Sequence, residues 1–181
     1  MRTGRGASCV GAASVSTVRQ GCCGLDAGWG RDPAGRAAAI FDRAVTADIR
    51  WIQRLDNLDR AFALLDSALV PGVAALSDLE REGAVHRFEF TFELAWKTIK
   101  DFLEYEGIDV DPMTPRSVLR AAAGAAIIDD GAGWIDMLDL RNLLAHTYDD
   151  TAFRRGLDDV AALHLPRLRR LVEWLRARRK P

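Results

Sequence analysis

From Leu55 onward the large apolar residues return at intervals of three and four, and that spacing limits what this chain can fold into more than any other feature. Leu55, Leu58, Phe62, Leu65 and Leu69 fall on one side of a 3.6-residue helix, and a stripe of that kind is stable only against a matching surface. Pro71-Gly72 closes the segment. A longer helix is predicted within Ser77 to Glu106, where Val85, Phe88, Phe92, Ala95, Ile99 and Phe102 form a second stripe that Trp96 and Leu103 widen. Gly107 supplies its C-terminal stop. Thr114-Pro115, an N-cap followed by proline at the first helical position, starts a short third helix to about Ile127. The stretch Asp129 to Gly133 breaks it. A fourth helix carries Trp134, Met137, Leu138, Arg141 and Ala145, and Asp149-Asp150 caps a fifth that kinks at Pro166 and runs nearly to the C-terminus. No stretch alternates with period two for long enough to make a strand. The expected fold class is therefore all-α, an antiparallel up-and-down bundle of about five helices.

A length of 181 residues suits one domain with a real core rather than two. Residues 1–44 are rich in Gly, Ala and Ser, hold no sustained hydrophobic period and have no acid before Asp26, so they are expected to be a disordered or non-native N-terminal extension. Residues 45–181 are then the helical domain, with Val45 as the natural start if its codon was a GTG initiator. The three cysteines, Cys9, Cys22 and Cys23, lie in the extension with no zinc-site spacing, which fits a reducing cytoplasm. No apolar run approaches the roughly 18 residues of a membrane span. Formal net charge is −1, but Arg167 to Lys180 carries seven basic residues against one acid, Glu173. That tail either touches phosphate or is a solvated helix end whose cations the C-terminal dipole favours.

The chemistry concentrates in Arg141-Asn142-Leu143-Leu144-Ala145-His146-Thr147-Tyr148-Asp149, which sets a permanent cation, an amide, an imidazole and a phenol at the end of an apolar helix. Arginine holds phosphate bidentately and steadies charge developing on its oxygens, while histidine moves protons near neutral pH, so the group suits phosphate chemistry without a metal or cofactor. On an ideal helix Arg141 and His146 stand about 140° apart. They converge only if the helix loosens before His146, or if two chains of a symmetric dimer each lend part of one cleft. The spacing R-x4-H alone is weak, because this composition produces roughly 0.4 matches by chance, and Arg81 with His86 is a second instance on a mixed surface. Requiring tyrosine two residues on lowers the expectation to roughly 0.004.

Together with Phe88-Glu89-Phe90-Thr91-Phe92-Glu93-Leu94-Ala95-Trp96-Lys97 and Thr114-Pro115-Arg116-Ser117-Val118, this R-x4-H-x-Y motif closely resembles the HEPN-fold nucleotidyltransferase substrate-binding family, from about Asp48 to Phe153. The resemblance implies a helical bundle, commonly a homodimer, that works bound to a minimal nucleotidyltransferase (MNT). In MNT-HEPN toxin-antitoxin pairs the HEPN protein is a metal-independent RNase and its partner silences it by adenylylation. Carried over, Arg141 stabilises the phosphate, His146 acts as acid or base, Asn142 supports them and Tyr148 accepts AMP. A bulky anion two residues from His146 would block the cleft and repel RNA.

Two further readings stand beside it: a non-catalytic nucleotidyltransferase substrate-binding subunit, and a plain helical dimerisation module in which Arg141 only satisfies helix-end carbonyls. Trp51, Trp96, Trp134 and Trp174 read as packing residues, and His86 and His164 as surface or packing residues. Glu93 with Lys97 and Lys100 with Glu104 read as exposed pairs, with Glu89 and Glu93 as further candidates for the cleft. Asp109-Val110-Asp111 lacks the Gly-Ser turn and strand of a transferase, so this chain is expected to be the partner of such an enzyme.

Overall fold

The computed structural model describes residues 33–146 and 150–179. These residues form helices with no strand among them. In chain order they are α1 (Pro33–Leu69), a 3-10 turn (Val73–Ala75), α2 (Asp78–Tyr105), α3 (Pro115–Gly124), α4 (Gly131–Leu144), α5 (Asp150–Asp159) and α6 (Leu165–Arg178). The π-helical stretch Val160–His164 makes α5 and α6 one continuous helix, so the bundle is the one that hydrophobic spacing predicts. Helical backbone begins at Pro33, upstream of the 44/45 boundary expected from composition; the run Ala37 to Ala39 has the highest helix propensity and needs no apolar stripe to adopt it. Residues 1–32 and Asp149, expected to help cap the fifth helix, lie outside the described residues.

The core is the sum of the stripes. Leu55, Leu58 and Leu65 of α1, Phe88, Phe92, Ala95, Ile99 and Leu103 of α2, Met137 of α4, and Leu168 and Leu175 of α6 are all buried. Each large side chain among them contributes roughly 1.5–3 kcal/mol of transfer free energy. Trp51 meets Phe102 edge-on at 5.2 Å and Phe102 meets Trp174 edge-on at 5.3 Å, which ties α1, α2 and α6 together.

Helix ends are closed by local chemistry. Ser77 and Glu80 form a capping box at the start of α2. At its end Ile108 N–H bonds Leu103 C=O and Gly107 N–H bonds Glu104 C=O, the double closure that a left-handed Gly107 (φ 75°) permits. The same closure ends α3 through Ala126 (φ 54°), a residue with a Cβ where glycine is favoured. This turn stops α3 at Gly124, short of Ile127, and drives Ile127 and Ile128 into the core.

Part of the charge of the basic C-terminal helix is offset by α1. Asp56 pairs with Arg179, Asp59 with Arg176 and Asp66 with Arg169, one number rising as the other falls by the same step, as an antiparallel helix pair requires. Arg167 and Arg170 pair with Asp130 and Asp129 before α4. Ahead of Pro166, Leu165 N–H reaches back five residues to Val160 C=O, a wider turn that accommodates the proline. Among the described residues no helix is long and apolar enough to cross a membrane.

Candidate functional site

Three helices converge on one small cleft. On α2, Glu93, Trp96 and Lys97 are spaced three and four residues apart and so share a face, beside the buried Phe92. On α4, Leu138, Arg141 and Asn142 repeat that spacing. The start of α3, Thr114 to Arg116, closes the third side, and the cavity so enclosed measures about 220 Å³. Its lining is half apolar, from Phe92, Trp96 and Leu138, and half polar, from Glu93, Arg116, Arg141 and Asn142.

Arg141 is the unusual member. It is half-buried in the last turn of α4, where the helix dipole favours a cation. One terminal N–H donates to Asn142 Oδ1 at 3.2 Å, yet its Nε is buried with no hydrogen-bond partner among the described residues. A buried charged donor left open costs about 1–3 kcal/mol or more. The helix-end carbonyls are not what it serves. The other R-x4-H pair behaves differently: Arg81 is buried, not on a mixed surface, and gives its N–H groups to Val73 C=O and Asp78, while His86 points to solvent. An identical spacing thus produces one arginine consumed by structure and one left open.

Glu93 faces the same cleft. Trp96 Nε1–H donates to Glu93 Oε2 at 2.9 Å and Lys97 Nζ lies 2.7 Å from Oε1. Burial raises the pKa of Glu93, but the hydrogen bonds of Lys97 and Trp96 and the charges of Lys97 and Arg141 hold it below its ordinary value. Glu89 is not in the cleft; it lies 3.8 Å from His86.

His146 stands apart from this lining. The α-helix ends at Leu144, and His146 N–H makes a tighter bond to Leu143 C=O at 3.1 Å, so the helix has ended before the imidazole, which is exposed. Tyr148 lies outside the described residues. The structure therefore brings Arg141 and Asn142 together and leaves His146 on the turn beyond them. Within α5, Gly156 packs against Leu144: a Cβ there would lie 2.8 Å from Leu144 Cδ2, so a larger residue would require that side chain to shift. Nothing local in the sequence marks Trp96 or Arg116 as a site residue, although both stand in the motifs that carry the resemblance. Among the described residues no three His, Cys, Asp or Glu side chains gather as a metal site needs.

Comparison with known proteins identifies the family and the fold. Residues 53–177 match the family model described as nucleotidyltransferase substrate binding protein like. The chain is 31% identical over 109 residues to a Haemophilus influenzae protein named probable ribonuclease HepT, covering 52% of this chain and 73% of that protein. It is similar to HI0074 of Haemophilus influenzae, described as showing the fold of a substrate binding domain of a nucleotidyltransferase, with 28% identity and TM-score 0.59 over 67% of this chain and 98% of the other. A crystal structure of a Thermus thermophilus protein matches at 30% identity and TM-score 0.53, over 68% of this chain and 99% of that one.

Proposed function

This chain belongs to the nucleotidyltransferase substrate binding protein-like family, and from that premise we propose that it is the helical partner of a separate minimal nucleotidyltransferase and a metal-independent endoribonuclease that the partner silences. Arg141 carries the reading: a half-buried guanidinium that lines a cleft of about 220 Å³ beside Asn142. In the cutting step His146 takes the proton of a ribose 2′-hydroxyl, the 2′ oxygen attacks phosphorus, and the 5′ oxygen leaves and gains a proton. Arg141 holds the charge that develops on the non-bridging oxygens, and Asn142 holds Arg141. Because His146 is off the cleft in one chain, the site is completed across a homodimer, with each chain's turn facing the other's cleft. Silencing is transfer of AMP: the Tyr148 oxygen attacks the α-phosphorus of ATP, pyrophosphate leaves, and the phenolic proton is lost.

The test uses purified protein with RNA in the presence of a chelator. Cleavage that disappears in Arg141→Ala and in His146→Ala, with helical circular dichroism retained, is the expected result; cleavage surviving either change overturns the assignment. Incubation with the neighbouring transferase and ATP should add one AMP by intact mass, absent in Tyr148→Phe.

The exposed position of His146 favours a second reading, a non-catalytic substrate-binding subunit that presents an anionic acceptor to the transferase. Tight binding of RNA or a nucleotide without any cutting would select it.

A further inference from the structure

Arg116 has no part in the chemistry above, yet it lines the same cavity from the other side. Thr114 opens α3 by accepting Ser117 N–H on its hydroxyl at 3.2 Å and Val118 N–H on its carbonyl at 3.0 Å. Pro115 has no N–H to offer. The amide of Arg116 is therefore the open donor of this first turn, among the described residues, at the positive end of a ten-residue helix. The Arg116 side chain crosses to α4, where one N–H donates to Asp139 Oδ1. That single bond anchors the guanidinium at the cleft rim and leaves most of its five-donor fork unused.

Two arginines from different helices thus flank one cavity with Asn142 between apolar walls. Charge in the cleft does not cancel: Lys97 offsets Glu93, Asp139 offsets Arg116, and Arg141 hydrogen-bonds no acid among the described residues. A cleft with that balance of charge favours an anion. A cavity of about 220 Å³ is below the ~300–1,000 Å³ usual for whole small-molecule ligands, so it takes one charged group and its immediate attachments rather than an entire nucleotide. Planar forks on two sides match the oxygens of a tetrahedral phosphate.

We infer that Arg116 is a second phosphate-binding residue of this cleft, gripping a phosphodiester of single-stranded RNA opposite Arg141. The inference rests on the RNA reading of the preceding section and adds the residue that holds the strand.

The test measures binding, not cutting. In a His146→Ala background, where RNA stays intact, a fluorescein-labelled single-stranded oligoribonucleotide is titrated by anisotropy at several salt concentrations. Arg116→Gln should weaken binding about tenfold and lower the slope of log affinity against log salt by about 0.7, the loss of one phosphate contact on a single strand. Arg116→Lys keeps charge without the fork and should restore the slope but only part of the affinity; Arg170→Gln, on Asp129 away from the cleft, should match the parent. Arg116→Gln binding like the parent in affinity and slope overturns the inference, as does a parent that binds no RNA. Arg116-dependent binding by a wild type that never cuts keeps the inference and removes the ribonuclease; cutting that ignores Arg116→Gln removes the inference alone.

Discussion

The indole N–H of Trp96 donates to Glu93 Oε2 at 2.9 Å, one turn back along α2, and so fixes a carboxylate at the edge of the cleft that holds Arg141. Glu93 has a folded-state pKa below its ordinary value, so what it contributes to stability is present above the unfolded pKa and is lost as pH falls through the folded one. In Trp96→Phe the carboxylate loses one donor, and its pKa, followed by side-chain carboxyl NMR, should rise toward the ordinary range. An unmoved titration would show that Lys97 and Arg141 hold Glu93 without the indole.

His164 is buried in the π-helical stretch, 6.2 Å from the Phe88 ring, with its Nδ1 3.3 Å from an Arg167 terminal nitrogen. Burial, aided by the Arg167 charge, pushes its pKa down to about 4 from 6.5. The folded state prefers neutral imidazole, so stability is full above pH 6.5 and declines as pH falls toward 4, by roughly 3 kcal/mol if the whole shift is expressed. Urea unfolding at pH 7 and pH 4.5 should show that decline in wild type and a smaller one in His164→Phe; equal slopes would exclude His164 as its source.

Asp101 is buried beneath Arg54 at 3.1 Å, Arg50 at 3.7 Å and Lys100 at 3.9 Å, and neither of its oxygens has a hydrogen bond. Burial raises its pKa further than the three cations lower it, so its share of stability is fully present below the unfolded pKa and lost as pH rises through the folded one. Asp101→Asn at pH 7 should therefore be as stable as wild type or more so, because Arg50 and Lys100 keep Glu104 and Arg54 keeps the Lys97 carbonyl. Arg54→Ala should cost stability, though less than the ~3–5 kcal/mol of a lone buried pair. A large loss in Asp101→Asn would reverse this ranking.

Ala126 holds φ 54° at the end of α3. A left-handed residue with a Cβ costs roughly 1–2 kcal/mol, part of which glycine's greater unfolded-state entropy offsets. Ala126→Gly should stabilise by about 0.5–1 kcal/mol, read from the urea midpoint. A midpoint that falls would show that the Cβ contributes packing the turn needs.

Arg169, Arg176 and Arg179 of the C-terminal helix each pair with an aspartate of α1, which offsets part of the tail's charge. Arg176→Gln combined with Arg179→Gln should leave the salt dependence of RNA binding unchanged and cost no more than about 1 kcal/mol per exposed pair. A shallower salt slope would return the tail to the RNA-binding face.

Helix number, the buried face of each helix and the ends at Ser77, Gly107 and Thr114 were legible in the residues, because they follow from 3.6-residue periodicity and from hydrogen bonds closed within a few positions. So was Arg141 as a candidate, through a motif too specific to be chance. Of its surroundings only Asn142 and Glu93 were candidates from the sequence. Trp96 and Arg116 line its cleft from helices that are neighbours only once the bundle has packed, and the spacing to histidine alone does not distinguish Arg141 from Arg81. That one guanidinium is spent on Val73 and Asp78 while the other keeps an open buried Nε was decided by which helix each faces. The charge of the C-terminal tail was equally plain in the sequence, but its partial offset depends on Asp56, Asp59 and Asp66, more than a hundred residues away, arriving in antiparallel register.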